Sequence, residues 1–323
     1  MELFDRLPCQ ICGAQTWSEK RKDAISGFVG FSLPDVVFLE NGKEMKSVRV
    51  RVPATTANLG PGFDAMGIAL CLYNTTTVAR GRGEALGDMA SEAAELFFHT
   101  SGVKEFDFHW SVEGDVPRSR GLGSSVTVRL GVLHGLNELA GKPISRKEIF
   151  RLCAELEGHP DNAAPAAFGG FCIAPKTGLL QRYPVREELA FVLLIPEGEL
   201  ETSKARAVLP SKIPFSDAAL SAGYAAAIAG AFASGDYRRL AGCFEDRLHQ
   251  PYRAKLLPFL GDVIAAGVAA GALGGWLSGA GSTVACAALR RPDRVAHAMI
   301  EACGLESAYA IVVRADNGGV KIA

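Results

Sequence analysis

The sequence predicts an α+β fold, and three observations carry that reading. Short alternating runs of strand character and helical segments occur in mixed order, without the strict strand–helix–strand rhythm of a parallel sheet. The second half sets Ala-rich helical stretches between short apolar strands. With 323 residues, 48% hydrophobic and 21% charged, the chain can form two domains, or one large domain with two lobes, around a sizeable core.

Each element follows from its local pattern. Val48, Val50 and Val52 point one way and Arg49 and Arg51 the other, which predicts a strand. It runs into a segment of small residues, Pro53-Ala-Thr-Thr-Ala-Asn-Leu-Gly-Pro-Gly-Phe-Asp64. Alternation predicts further strands at 67–72, 75–79 and 106–112, with a helix over 88–100 between them. A Gly/Ser loop precedes a helix that starts at Val126 and runs to about Ala140. Ser145 with Glu148 three residues later is a capping box, opening a helix through Leu156. Strands rich in aromatic and β-branched residues follow at 168–174 and 189–195. Beyond them the pattern predicts helices at 217–232, 237–244, 257–267 and 293–303, and strands at 274–277, 284–288 and 309–314.

Composition narrows the function classes. A net charge of −1 leaves no basic field for nucleic acid, and no long Lys/Arg stripe occurs. The apolar stretches 218–234 and 263–277 are mainly Ala and Gly, which suits close-packed helices better than a bilayer span. Neither a nucleic-acid nor a membrane partner is expected. The eight cysteines are dispersed, mostly in apolar company, as thiols of a reducing compartment are, and no signal peptide is visible. A cytoplasmic location is expected. Residues 1–44 stand apart: Cys9-Gln-Ile-Cys12 has no second pair downstream, so a zinc site would have half its ligands. The segment reads as an N-terminal extension, or an upstream mis-start, ahead of a domain that opens at Met45.

The chemistry concentrates in one loop. Pro117, Arg118, Ser119, Arg120, Gly121, Leu122, Gly123, Ser124, Ser125, Val126 and Thr127 form a Gly/Ser-rich turn followed at once by a helix. Glycine lets the backbone come close to an anion, and a helix N-terminus offers unpaired N–H groups and a positive dipole end. Arg118 and Arg120 add positive charge there. The Walker arrangement is absent, because Gly123 rather than Lys precedes Ser124. A third small-residue loop, Trp276-Leu-Ser-Gly-Ala-Gly-Ser-Thr283, lies far along the chain.

Together the segments 52–64, 117–127 and 276–283 resemble, in order and spacing, those of the GHMP kinases. The stretch Glu157-Gly-His-Pro-Asp-Asn-Ala-Ala-Pro-Ala-Ala-Phe-Gly-Gly170 is similar to that of the homoserine kinase branch, as are Glu201–Pro210, Leu248–Pro258 and Ala315–Gly319. The likeness runs from about Met45 to the last residue. Departures are Val126 and Thr127 where smaller residues are usual, an atypical Arg118, and Ser282 in place of a common Pro. The resemblance implies two lobes, 45–190 and 191–323, the first similar to the second domain of ribosomal protein S5 and the second ferredoxin-like. It implies ATP and Mg²⁺ as cofactors, L-homoserine as acceptor, and a homodimer.

Residue roles follow from the same resemblance. The loop 117–127 would wrap the ATP phosphates, with Ser125 and Glu157 as metal ligands and Glu155 as the competing carboxylate two residues away. Arg206 and Arg253 would grip the α-carboxylate, since guanidinium forks bind carboxylates bidentately. Asn58, Asp64 and Asn162 would take the α-ammonium, with His159, Thr202 and Gly279 completing the pocket. Asp161 is the candidate for a catalytic or organising carboxylate. The other readings are a GHMP kinase for another small alcohol and a non-catalytic nucleotide-binding relative.

Overall fold

The computed structural model describes residues 46–83 and 86–323. The extension and its Cys9/Cys12 pair lie outside them. The first strand, β1 (Ser47–Ala57), continues beyond the valine alternation through Pro53-Ala-Thr-Thr. It pairs antiparallel with β2 (Met66–Arg80), one long strand where alternation alone predicts two. The register slips between Pro53 and Ala54, so that Cys71 and Leu72 of β2 have no opposite residue on β1. Pro53 has no N–H to give a ladder, which makes this the place for an irregularity. The polar Asn74, two residues beyond the bulge, interrupts the apolar pattern, which is why a single strand read as two.

α1 (Asp88–Ser101), β3 (Phe108–Gly114), α2 (Ser124–Leu139) and α3 (Arg146–Glu157) follow. The Ser145 side chain accepts from the Glu148 N–H at 3.2 Å, which is half of the expected capping box. Then come the short α4 (Ala163–Phe168), β4 (Phe171–Ile173) and β5 (Gln181–Tyr183). The second part of the chain contributes β6 (Ala190–Ile195), α5 (Thr202–Ala207), α6 (Phe215–Ser234), α7 (Gln250–Arg253) and α8 (Leu260–Ala269). After them lie β7 (Gly274–Leu277), β8 (Val284–Ala288), α9 (Pro292–Cys303), β9 (Tyr309–Val313) and β10 (Lys321–Ile322). The helix expected at 237–244 is only a 3₁₀ turn, Tyr237–Leu240, and Gly242 soon takes a left-handed φ of 76° that a helix cannot continue through.

Two sheets result. The first has the order β10-β1-β2-β4-β5, with β3 also on β2, and the second β7-β8-β6-β9, antiparallel throughout. In the second the chain order strand–helices–strand–strand–helix–strand is the split βαβ arrangement of ferredoxin-like lobes. Strand alternation decides the layers. Val48, Val50 and Val52 pack with α1, α2 and α3 in one core. Phe191, Leu193 and Ile195 of β6 face a second core shared with Ile68, Leu70 and Phe171 of the first sheet, while Val192 and Leu194 face α8 and α9. Stacking of Phe171 on Phe232, 4.1 Å between centroids, joins the first sheet to α6 within that shared core. The expected site residues lie where the two lobes meet.

Candidate active site

The Gly/Ser loop is shaped by close backbone approaches. Gly121 has φ 74°, and a Cβ there would stand 2.1 Å from the Ser278 carbonyl oxygen. Gly123, at φ 69°, leaves room for the Thr55 hydroxyl, which a Cβ would meet at 2.2 Å. The Ser278 hydroxyl donates to Gly121 O (2.7 Å) and the Thr283 N–H to Arg120 O (3.1 Å), so the loops 117–127 and 278–283 interlock. α2 begins at Ser124, and its first N–H groups have no partners within the helix.

One cleft of about 470 Å³ takes in most of the expected site. Arg118, Ser119, Arg120, Gly121, Gly123, Ser124, Ser125 and Val126 line it, as do Asn58, Asp64, Glu157, His159, Asp161, Asn162, Thr202, Arg206, Arg253 and Gly279. Three residues of the loop do not. Leu122 is fully buried in the core between the lobes, Thr127 donates its hydroxyl to Ser124 O while accepting from Asn74, and Pro117 lies just before the lining residues. The Arg120 side chain is also committed elsewhere: it donates to the Pro196 and Glu197 carbonyls and pairs with Glu199, tying the loop to the second lobe. Arg118 stays exposed at the rim.

Beyond the loop, α2 and the end of α3 meet at one carboxylate. Ser125 donates to Glu157 Oε2 at 3.0 Å, and Arg129 donates to Glu157 Oε1 at 2.8 Å. Two oxygens about 3.0 Å apart match the edge of a Mg²⁺ octahedron, since metal–oxygen bonds of about 2.0–2.1 Å place adjacent ligands about 2.9 Å apart. The donor set fits a hard cation. Glu155 does not line this cleft: it is 55% exposed and pairs with Arg151 at 3.5 Å. The same end of the cleft has an apolar wall of Met89, Trp110, Val112 and Val128.

At the other end, charged groups of both lobes converge. Asn58 and Asp64 hold left-handed φ angles of 72° and 55°, a conformation that Asn and Asp tolerate better than most residues. Asn58 accepts from the Asp64 N–H (3.0 Å) and donates to Gly279 O (2.9 Å). Arg206 donates to both Asp64 oxygens, at 2.7 and 3.1 Å, and the charge-assisted pair raises its pKa. Arg253 is 1% exposed and donates to Ala205 O (3.0 Å) and Gly279 O (3.0 Å). Burial, and then the nearby Arg206 charge, push its pKa down to about 10.

Asp161, 2% exposed, has two inequivalent oxygens. Oδ1 accepts from His159 Nδ1 (2.7 Å), the Asn162 N–H (2.9 Å) and the Asn162 side-chain amide (3.2 Å), while among the described residues Oδ2 makes no such bond. Burial alone would lower the His159 pKa, but the hydrogen bond and charge of Asp161 outweigh it and the net shift is upwards. Asp64, His159 and Asp161 offer ligand atoms all within 4.8 Å of one another. Thr202 opens α5 at the mouth and is exposed.

Sequence reasoning missed several contributors. His249 is fully buried, bonds Gly60 O (3.0 Å) through Nε2, and stacks on Phe63 at 5.1 Å. Arg253 Nη1 lies 3.2 Å from its Nδ1; burial holds the ring neutral, with a pKa pushed down to about 4. Asp246 caps this turn by accepting the N–H groups of Leu248, His249 and Gln250. Both residues sit in or beside the segment 248–258, whose resemblance was visible but gave no role to them. Arg129 carried one signal, its position four residues after Ser125 on the same helix face.

Comparison with known proteins gives a consistent result. Residues 88–170 match the GHMP kinase N-terminal domain and residues 228–305 the GHMP kinase C-terminal domain. A homoserine kinase of Gloeobacter violaceus is 41% identical over 255 residues, covering 73% of this chain and 85% of that protein. One of Halothermothrix orenii is 35% identical over 295 residues, covering 84% of this chain and 94% of that protein. The crystal structure of a homoserine kinase from Cytophaga hutchinsonii superposes with a TM-score of 0.79 at 24% identity, over 89% of this chain and all of that one, which shows a shared fold. Among the described residues no helix is long and apolar enough to cross a membrane. By its fold, by the matches to both halves and by its relatives, the chain belongs to the GHMP kinase family, in the homoserine kinase branch.

Proposed function

We propose that the chain transfers the γ-phosphoryl group of ATP to the side-chain hydroxyl of L-homoserine, giving O-phospho-L-homoserine on the route to threonine. The observation that carries this is the pairing, in one cleft, of a phosphate-type loop with a cluster of opposite charges suited to a zwitterion. Arg206 and Arg253 offer guanidinium groups for an α-carboxylate, and Asp64 and Asn58 offer oxygens for an α-ammonium. The names of the relatives support the same acceptor.

In this reading the adenine packs on Met89, Trp110, Val112 and Val128, and the triphosphate follows the N–H groups of 121–126 to the start of α2. Ser125 and Glu157 would hold Mg²⁺, which would supply positive charge to offset that of the phosphates. Asp161 keeps Oδ2 for the acceptor hydroxyl, because His159 and Asn162 occupy Oδ1. That carboxylate orients the hydroxyl towards the phosphate, the positioning on which phosphoryl transfer chiefly depends. Thr202 and Gly279 close the acceptor end. The division into lobes at about residue 190, a cytoplasmic location and a homodimer belong to the same reading; the two separate sheets support the first.

The test is an ADP-coupled assay with ATP and a panel of homoserine, serine, threonine, homoserine methyl ester and mevalonate. Homoserine is expected to lead clearly, and the ester to lose most of that preference. An ester as good as homoserine, or mevalonate as the best acceptor, would overturn the assignment.

A further inference from the structure

Arg129 lies outside every motif, yet it is one of the most constrained cations of the molecule. Its side chain is 13% exposed and sits between three acceptors. Nη1 donates to Glu157 Oε1 (2.8 Å) and to Leu156 O (2.9 Å), and Nη2 to Glu92 Oε2 (2.9 Å). Burial opposes its charge, and the Glu157 carboxylate more than restores it, so its pKa rises. Ser125 and Arg129 are four residues apart on α2 and therefore project from one face. Each takes a different oxygen of Glu157, whose side chain is only 10% exposed.

From this geometry we propose that Arg129 is a positioning residue: it holds Glu157 by Oε1 so that Oε2 alone is presented, beside the Ser125 hydroxyl, to the metal of the bound nucleotide. The inference rests on the proposed reading of Glu157 as a metal ligand and adds the part that fixes its rotation. Without Arg129 the carboxylate is held by one hydrogen bond and can turn about its own axis. With it, both oxygens are assigned before nucleotide arrives. α1 takes part through Glu92, which anchors the other arm of the guanidinium from the surface, where it is 53% exposed. Partners that orient a ligand typically change metal affinity about 10- to 100-fold when removed.

The experiment measures binding as well as turnover. Mn²⁺ binding in the presence of ADP is followed by electron paramagnetic resonance, and metal-free ADP binding by calorimetry in chelator, for wild type, Arg129→Met, Arg129→Lys, Glu92→Gln and Glu157→Gln. Arg129→Met is expected to weaken the Mn·ADP complex about tenfold or more. Metal-free ADP binding and the KM for homoserine should stay near the wild-type values. Arg129→Lys should recover part of the loss, since an ammonium keeps the charge but not the fork. Glu92→Gln, at a largely exposed position, should show a smaller loss of the same sign and covers the case in which Arg129→Met fails to fold. Equal weakening of ADP with and without metal, tighter Mn·ADP binding, or no effect in any of the three Arg129 and Glu92 variants would each overturn the proposal. Glu157→Gln separates the two layers: if it keeps full Mn·ADP affinity, the ligand reading fails. If it loses affinity while the other variants do not, only the role of Arg129 fails.

Discussion

Asp64 and Arg206 hold each other through two parallel hydrogen bonds of 2.7 and 3.1 Å across the acceptor end of the cleft. They come from different lobes, and each is the counter-ion that the other would need when no ligand is bound. An amino-acid zwitterion carries both charges, so its carboxylate and ammonium can take over as partners without leaving either side chain uncompensated. In the proposed reading, that exchange would favour ligands carrying both groups.

Arg206→Ala is expected to raise the KM for homoserine strongly with little change in the KM for ATP. Truncating one member of a buried charge pair costs about 2–4 kcal/mol, roughly 30- to 1,000-fold, and Arg206, whose side chain is 36% exposed, should fall at the low end. Arg253→Ala should behave in the same way, and Arg→Lys at either place should rescue only in part. Steady-state kinetics with each substrate varied separately would settle it, and a normal homoserine KM with an impaired ATP KM would move either residue out of the acceptor pocket.

The two glutamates at the end of α3 should differ sharply. Glu157→Ala removes a carboxylate that Ser125 and Arg129 both address, and is expected to lower kcat/KM for Mg·ATP about tenfold or more. Glu155→Ala removes only an exposed pair with Arg151 and should fall within about twofold of wild type, because such pairs are worth about 0–1 kcal/mol. Severe losses at both positions would count against this assignment.

Gly121→Ala tests the interlocked loops. The added methyl would stand 2.1 Å from the Ser278 carbonyl, and φ 74° is unfavourable for alanine as well. A loss of about 2 kcal/mol or more in stability is expected together with a raised KM for ATP. Thermal melts and ATP titrations check the two effects; a variant with normal melting and normal ATP use would show that the loops are free to part.

Two histidines should make opposite contributions to stability as pH changes. His134 is held neutral by burial and by the nearby Arg146 charge, with its pKa pushed down to about 3. Its unfolded value is about 6.5, so the unfolded chain binds the extra proton first, and stability is lost as pH falls below that value. His134→Leu should therefore melt with a shallower loss on acidification than wild type. His159 is shifted upwards by Asp161, so its contribution is fully present below about 6.5 and disappears as pH rises through its folded value. The stability gap between wild type and His159→Gln should be wider in mild acid than in mild alkali. The same sign of pH dependence in both variants would contradict the assigned shifts.

Only the Gly/Ser loop, with Gly121, Gly123 and the Ser124/Ser125 pair, signals phosphate recognition by its own residue types. Asn58, Asp64 and the 157–162 run were picked out by resemblance to the homoserine kinase segments, and the structure brings them to one cleft. The partnerships between them were not legible. Nothing local says that Asp64 meets Arg206, 142 residues away, or that Arg120 spends its guanidinium on the 196–197 carbonyls. His249 carries no local signal of the contacts the fold gives it, stacked on Phe63 and bonded to Arg253. Among the elements, the long helices and β7 and β8 were readable from periodicity and length. β5 and β10, with 3 and 2 residues, are too short to hold a period, and owe their form to the strands beside them.

The last described strand has a bearing on how the molecule is made. β10 supplies the partner for the outer edge of β1, and Asp316 and Asn317 brace the backbone at Ala69, Gly170 and Val185. Translation delivers these residues after all the rest of both lobes. A nascent chain that has emerged only as far as β9 presents an open β1 edge, and an uncovered edge is a template for strands of other chains. The first lobe to leave the ribosome is thus the last to be finished, and fragments that stop short of residue 316 are the species exposed to pairing with one another.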